Sequence, residues 1–321
     1  MSRVLVEARE LKKYFDIRKG LRREGWLRAV DGVSLTVNKG ETLGLVGESG
    51  CGKTTVGRTL TRLYEPTDGQ IFYDGEDITR ANMSDYRHKM QMVFQDPYSS
   101  LDPRMTVGDI VAEPLDILKL CKGAERQERV VEQLRLVGMN SEHMSRFPHE
   151  FSGGQRQRIS IARALAVKPE FLVCDEPVSA LDVSIQAQVI NMLIGLQERM
   201  GLTYLFIAHD LAVVRHISNR VAVMYLGRLM ECGDTVELFK HPRHPYSQAL
   251  LSAIPVPDPR TNRARKQELL SGDVPNPMTP PPGCPFSSRC PACRDICKET
   301  IPELRDCGGG RIAACHRLDE L

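Results

Sequence analysis

Short apolar runs recur along the chain between polar or glycine residues, and their spacing sets the expected architecture. Glu41–Val46, Met90–Phe94, Phe171–Cys174, Thr203–Ala208 and Val221–Tyr225 read as buried strands. Val4–Ala8 opens the chain with a further strand, and Val33–Val37 alternates apolar and polar positions as a half-buried strand does. Gln70–Tyr73 followed by Asp74-Gly75 predicts a strand and a tight turn. Helical spacing appears over Thr54–Leu63, with Val56, Leu60 and Leu63 on one face, and over Val183–Met200, with Ile185, Val189, Met192 and Leu196 on one stripe. Val130, Val131, Leu134 and Val137 place helix within residues 103–145, a helical insertion that Pro148 closes. Phe151 opens another helix running to about Ala166, and Val221–Tyr225 with Arg228–Glu231 around Gly227 predicts a terminal hairpin. The basic, glycine-containing stretch 18–28 reads as a solvated loop. Strands alternating with helices predict an α/β fold with a mainly parallel sheet, whose site lies at the strands' C-terminal edge.

Chemistry falls at that edge. Gly47-Glu48-Ser49-Gly50-Cys51-Gly52-Lys53-Thr54-Thr55 stands between a predicted strand and helix and fits G-x-x-x-x-G-K-[ST], the phosphate-binding P-loop. Glycines allow the backbone N–H groups to approach phosphates, and the helix N-terminus adds a favourable dipole. Lys53 would reach the β- and γ-phosphates and the Thr54 hydroxyl would ligate Mg2+. A nucleoside triphosphate is therefore the expected ligand. Asp175 ends a strand, as an Mg2+-holding carboxylate should, and Glu176 suits the group that orients or deprotonates an attacking water. Gln95 would offer its side-chain carbonyl to Mg2+ or water, and His209 a hydrogen bond to the γ-phosphate.

Composition narrows the class. At 321 residues, with 41% hydrophobic and 26% charged residues, the chain suits one large domain plus an appendage of ordinary globular make-up. A net charge of +2 gives no support to a nucleic-acid footprint, and nucleic acid is not an expected partner. No apolar run approaches the ~20 residues that span a bilayer, so membrane association is expected to come through a partner.

Ser152-Gly153-Gly154-Gln155 resembles the signature of ATP-binding cassette (ABC) transporter ATPases. The remaining motifs stand in that family's order across about residues 4–235: P-loop, Gln95, signature, Asp175-Glu176, the Ser179–Asp182 D-loop and His209. His149–Arg158, Asp175–Gln188 and His244-Pro-Tyr-Ser-Gln-Ala-Leu250 resemble, more narrowly, the oligopeptide/dipeptide (Opp/Dpp) importer ATPases. Chain length and the Ala208–Val214 context are most like the F-type subunit. Phe151 replaces the signature's common leucine and Thr54 the commoner serine, both compatible with the roles. The resemblance implies a P-loop nucleotide-binding domain over 1–240, with a mainly parallel core, an antiparallel β part and a helical subdomain at about 100–165. A proline-rich linker over 241–282 and a cysteine-rich unit over 283–321 would follow. It also implies that two such domains sandwich two ATP molecules head to tail. Ser152, Gly153 and Gly154 would then meet a γ-phosphate held by the partner's P-loop, with Gln155 and Asp182 in the same nucleotide-binding set. Tyr14 would stack on adenine, with Phe15 the neighbour able to take that role. Implied partners are a second, D-type ATPase, two transmembrane permease subunits and, indirectly, a substrate-binding protein outside the membrane, which places the chain peripherally at the cytoplasmic face of the inner membrane. The alternatives are an importer for another solute, such as a nickel complex, or a soluble ABC ATPase outside transport.

Six of the ten cysteines lie between Cys284 and Cys315. Thiols this dense in a cytosolic protein point to metal or cluster binding rather than to a disulfide framework. By resemblance to the Opp/Dpp C-terminal extension, Cys284, Cys290, Cys297 and Cys315 would hold a [4Fe–4S] cluster. Plain packing of reduced cysteines is the second reading, and a zinc site of Cys290, Cys293, Cys297 and His316 the third.

Overall fold

Two β-sheets share the chain's apolar residues between them in the computed structural model, which describes residues 3–20, 22–253 and 272–320. The elements run β1 (Val4–Lys19), β2 (Arg22–Asn38), β3 (Thr42–Val46), α1 (Lys53–Leu60), β4 (Asp68–Tyr73), β5 (Glu76–Asp77), β6 (Met90–Val93), α2 (Pro97–Ser100), α3 (Val107–Ile117), α4 (Gly123–Leu136) and α5 (Gly153–Leu165). They continue as β7 (Phe171–Asp175), α6 (Val183–Met200), β8 (Thr203–Ile207), α7 (Leu211–Ile217), β9 (Arg220–Tyr225), β10 (Arg228–Asp234), α8 (Thr235–Lys240), α9 (Pro245–Ser252), α10 (Asp295–Glu299), β11 (Arg305–Asp306) and β12 (Ile312–Ala313). The antiparallel sheet has the order β2-β1-β4-β5, and the central sheet β11-β12-β10-β9-β3-β8-β7-β6. Strands β9, β3, β8, β7 and β6 are parallel neighbours.

The central strands β3, β6, β7 and β8 are buried along almost their whole length and mainly apolar, because both of their faces are covered. Leu172 and Cys174 of β7, with Tyr204 and Phe206 of β8, turn to a cluster shared with α3, α4, α5 and α6. The alternate residues Phe171, Val173, Leu205 and Ile207 turn the other way, to a cluster that unites both sheets and takes in Val56 and Leu60 of α1. The phosphate-loop helix is thus held by packing against both sheets. Leu63 lies beyond that helix and is exposed, contrary to its expected place on the apolar face.

Two departures from the sequence reading concern extended chain. Stretch 18–28 is not a loop: β1 and β2 form a long antiparallel ribbon in which Asp16 pairs with Trp26 and Arg18 with Arg23. Glu24, Trp26 and Arg28 are exposed while Gly25, Leu27 and Ala29 are half-buried, so polarity in the sequence does not follow the strand's alternation although the ladder pairing does. Within the expected linker, Pro245 starts α9 instead, since a proline at the first helical position gives up an N–H that has no helical partner. Residues 254–271 of that linker lie outside the described residues. The cysteine-rich tail returns to the core, where β12 pairs with β10.

The turn into α9 is built on buried polar groups. Glu231 of β10 accepts the N–H groups of Arg243 at 2.8 Å and His244 at 2.9 Å, and His244 Nδ1 accepts the Tyr246 N–H at 3.0 Å. Burial holds the His244 imidazole neutral, with its pKa lowered from 6.5 to about 4. The unfolded chain therefore binds this proton first, and stability associated with neutral His244 is full above pH 6.5 and is lost as pH falls toward 4. His244→Asn, which keeps a side-chain acceptor without a titrating ring, should lack this loss. The stability gap between wild type and variant is expected to narrow by about 1 kcal/mol between pH 7.5 and 5.5 in urea titrations; a gap independent of pH would contradict it.

Candidate nucleotide site

The P-loop closes over the end of β3 with no room to spare. At Gly47 (φ 152°) a Cβ would overlap the carbonyl oxygen of Met224 in β9, and at Gly52 (φ 104°) that of Ala29 in β2. Only glycine lets the loop sit this close to both strands. Lys53 is buried, and its Nζ donates to the carbonyls of Gly47 (2.8 Å) and Glu48 (3.0 Å), which curls the loop around the ammonium. A cavity of about 500 Å3 opens over Ser49, Gly50, Gly52, Lys53, Thr54 and Thr55. Gly47, Glu48 and Cys51 are not among its lining residues.

The ends of the parallel strands supply the rest. Thr54 Oγ1 donates to Asp175 Oδ1 at 2.8 Å, while Asp175 Oδ2 is buried without a hydrogen-bond partner among the described residues. Burial pushes the Asp175 carboxyl above its usual range, against the Thr54 hydrogen bond that pulls it down. A divalent cation beside Thr54 and Asp175 would satisfy the orphan oxygen and favour its charged form, so the pair fits Mg2+. Glu176 follows in the left-handed region (φ 45°), a conformation that costs a non-glycine residue energy and turns its carboxylate toward the cavity. There Gln95 Nε2 donates to Glu176 Oε2 at 2.8 Å, and His209 Nδ1 stands 3.4 Å from the same oxygen. All three line the cavity.

Phe15, not Tyr14, forms the aromatic wall. Phe15 lines the cavity and stacks edge-to-face on Tyr64 with ring centroids 5.4 Å apart. The Tyr14 hydroxyl instead donates to Asp31, which also pairs with Arg228 at 2.6 Å; burial first, then that carboxylate, push the phenol up to about 12. Adjacent strand residues face opposite ways, and the β1–β2 register shifts between Lys13 and Tyr14, so counting from a motif cannot say which ring faces the site. Leu27, Arg28 and Ala29 of β2, Leu226 and Gly227 of the β9–β10 turn, and Pro277 complete the cavity. None of these belongs to a short motif, and no sequence signal marks them.

The signature residues stand elsewhere. Ser152 caps α5, its hydroxyl taking the Gln155 N–H while the Gln155 side chain takes the Ser152 N–H. Gly154 packs against Ile185 of α6, where a Cβ would overlap the Ile185 side chain. Ser152, Gln155 and Asp182 are exposed, and neither they nor Gly153 and Gly154 line the cavity.

In the tail, Cys284 feels the thiols of Cys297, Cys315 and Cys290, and Cys290 those of Cys315, Cys293 and Cys297. Burial pushes Cys284 up to about 12 and Cys290 up to about 11. Cys307 faces Glu231 and Arg311, and the His316 ring bonds the Thr300 carbonyl at 2.9 Å. Among the described residues no three His, Cys, Asp or Glu side chains come together closely enough to hold a single metal ion.

The aromatic wall is directly testable. Phe15→Ala should weaken ATP binding about tenfold, the scale of one lost base–aromatic contact, while Tyr14→Phe leaves it within about twofold. Equilibrium titration with a fluorescent ATP analogue would read both; the reverse order of effects would return the role to Tyr14.

Residues 30–179 match the ABC transporter family, and residues 230–297 the oligopeptide/dipeptide transporter C-terminal region. The oligopeptide transport ATP-binding protein AppF of Bacillus subtilis is 54% identical over 97% of both chains. The putative oligopeptide transport ATP-binding protein YkfD of the same organism is 51% identical over 97% of this chain and 95% of its own. Among solved structures, the dimeric post-hydrolysis state of the ATP-binding cassette MJ0796 bound to ADP and Pi matches with a TM-score of 0.65 and 28% identity, covering 72% of this chain and 99% of that one. With the P-loop, strand-end carboxylates and signature in place, this chain belongs to the ABC ATP-binding subunits of the oligopeptide/dipeptide transporter family.

Proposed function

We propose that this chain hydrolyses ATP to energise the import of peptides, as one of two nucleotide-binding subunits docked on transmembrane permeases at the cytoplasmic face of the membrane. The observation that carries the reading is the gathering of Lys53, Thr54, Asp175, Gln95, Glu176 and His209 at one sheet edge while Ser152–Gln155 stands outside their cavity. A site split in this way is completed by a second cassette whose signature faces this P-loop. That partner is a different, D-type chain, and closure of the pair on ATP drives the permeases.

In the closed site, P-loop N–H groups and Lys53 bind the β- and γ-phosphates. Thr54 and Asp175, with Gln95, would hold Mg2+, which neutralises phosphate charge. Glu176 accepts the proton of the attacking water as its oxygen bonds to the γ-phosphorus and the bond to the ADP oxygen breaks. His209, next to Glu176, orients the γ-phosphate. The partner's counterparts of Ser152, Gly153 and Gly154 cover the γ-phosphate from the far side. Residues 1–240 make up the ATPase domain, with a helical subdomain at about 100–165 that docks the permeases; exposed Ile117 within it and Tyr98 just before it support this. With the complex reconstituted in vesicles, Glu176→Gln should cut ATP turnover about a hundredfold or more and stop peptide uptake, yet leave ATP bound. Undiminished hydrolysis would remove Glu176 from the role, and uptake that continues without hydrolysis would remove the chain from transport.

We further propose that Cys284, Cys290, Cys297 and Cys315 hold a [4Fe–4S] cluster that staples the tail. Their mutual proximity supports this, with Cys284, Cys297 and Cys315 buried and Cys290 half-buried. Burial raises the Cys284, Cys290 and Cys315 thiols, and a cationic centre would draw off their protons. Anaerobically purified protein should contain about four iron and four sulfide per chain; stoichiometric zinc or no metal would withdraw the cluster.

A further inference from the structure

The second residue of the P-loop is an acid, and what holds it comes from far along the chain. Glu48 lies in a loop whose task is to surround phosphate charge with positive potential, yet its side chain does not line the nucleotide cavity. Its carboxylate is gripped by Arg289 of the cysteine-rich tail, whose Nη1 stands 2.8 Å from Oε2 and 3.1 Å from Oε1. The Arg289 side chain is only 8% exposed, and the same Nη1 donates to the Tyr225 hydroxyl at 3.2 Å. The Glu48 backbone N–H donates at 2.9 Å to the hydroxyl of Tyr246, on α9. Tyr246, Tyr225 and Phe286 are fully buried and mutually packed, with ring centroids 4.7 to 5.4 Å apart. Side chain and backbone of one loop residue are thus tied to a rigid aromatic block formed by β9, α9 and the tail.

We propose that Arg289 and Tyr246 are positioning residues for ATP: they hold Glu48 turned out of the phosphate cradle and keep the loop in its binding shape. The physical case has two parts. Released from Arg289, the carboxylate becomes an unpaired negative charge beside the site of a triphosphate, at a half-buried position where water screens it only in part. Released from Tyr246, the loop loses a fixed point and must be ordered when ATP binds. Both effects act on binding and neither touches the strand-end groups that act on water, so affinity changes while turnover at saturation does not. The inference rests on the nucleotide reading above. It adds that the C-terminal region, outside the P-loop motif, sets the strength of that binding.

The test uses the full chain for ATP affinity by calorimetry, and the assembled complex for KM and kcat. Arg289→Ala should weaken ATP binding and raise KM about tenfold with kcat within about twofold, as expected for the loss of a charge-assisted pair. Adding Glu48→Gln to Arg289→Ala removes the stranded charge and should recover most of the affinity. Tyr246→Phe, which deletes one hydroxyl and keeps the aromatic packing, should raise KM about threefold with kcat unchanged. Wild-type affinity in both single variants would overturn the proposal. So would a loss in Arg289→Ala that Glu48→Gln fails to recover and that tracks a lowered melting temperature, which would make the pair purely structural. Failure of the wild-type chain to bind ATP would instead overturn the nucleotide reading itself.

Discussion

The rest of the site depends on how closely the P-loop is wedged between its neighbours. At Gly47 it touches the β9 backbone and at Gly52 that of β2, with no space for a Cβ at either point. This contact sets the curl of the loop, and the curl places Lys53 beneath it and Thr54 against Asp175. A phosphate cradle made of backbone N–H groups works only if the backbone is rigid, because each donor is weak alone and its energy falls steeply with misalignment. The antiparallel ribbon and the terminal hairpin, neither of which carries a catalytic side chain, therefore contribute to catalysis by bracing the loop.

Covering both faces of the central sheet leaves its C-terminal edge as the place where polar groups can gather. Gln95, the Asp175-Glu176 pair and His209 leave three different parts of the chain at that edge, where Gln95 and His209 approach Glu176 while Asp175 takes the Thr54 hydroxyl. The left-handed backbone at Glu176 belongs to the same economy of space, since an extended residue there would carry its side chain away from Gln95 and His209. The signature helix starts on another surface, braced by its own Ser152–Gln155 cap. The P-loop cavity and the signature thus lie apart on one chain, and the proposed paired assembly rests on that separation.

The tail takes part in this arrangement. It joins the central sheet through β12, buries three of its cysteines and sends Arg289 to the P-loop. The His244-Pro245-Tyr246 stretch has a physical role of its own: His244 and Pro245 start a short helix on a buried carboxylate, and Tyr246 then reaches the loop backbone. An appendage that looks separable by composition is in contact with the chemistry.

Periodicity and local motifs determined much by themselves. The buried strands, the long helix 183–200, the phosphate loop and the strand-end carboxylates all follow from contiguous residues, because two-sided burial makes a strand uniformly apolar and a phosphate loop needs glycines at short range. What the tertiary structure decided involves either weak periodicity or long separation. Stretch 18–28 contributes to a ribbon although its polarity, with Trp26 exposed and Gly25 half-buried, does not follow the strand's alternation. Phe15 rather than Tyr14 faces the cavity because a register shift lies beside them, and one residue of shift exchanges the faces of a strand. Pro245 begins a helix where proline density suggested extended chain. The Glu48–Arg289 pair joins residues 241 positions apart, and no local rule relates them. Sequence encodes what neighbouring residues do to one another; which distant side chain neutralises a given charge is settled only when packing has brought the two together.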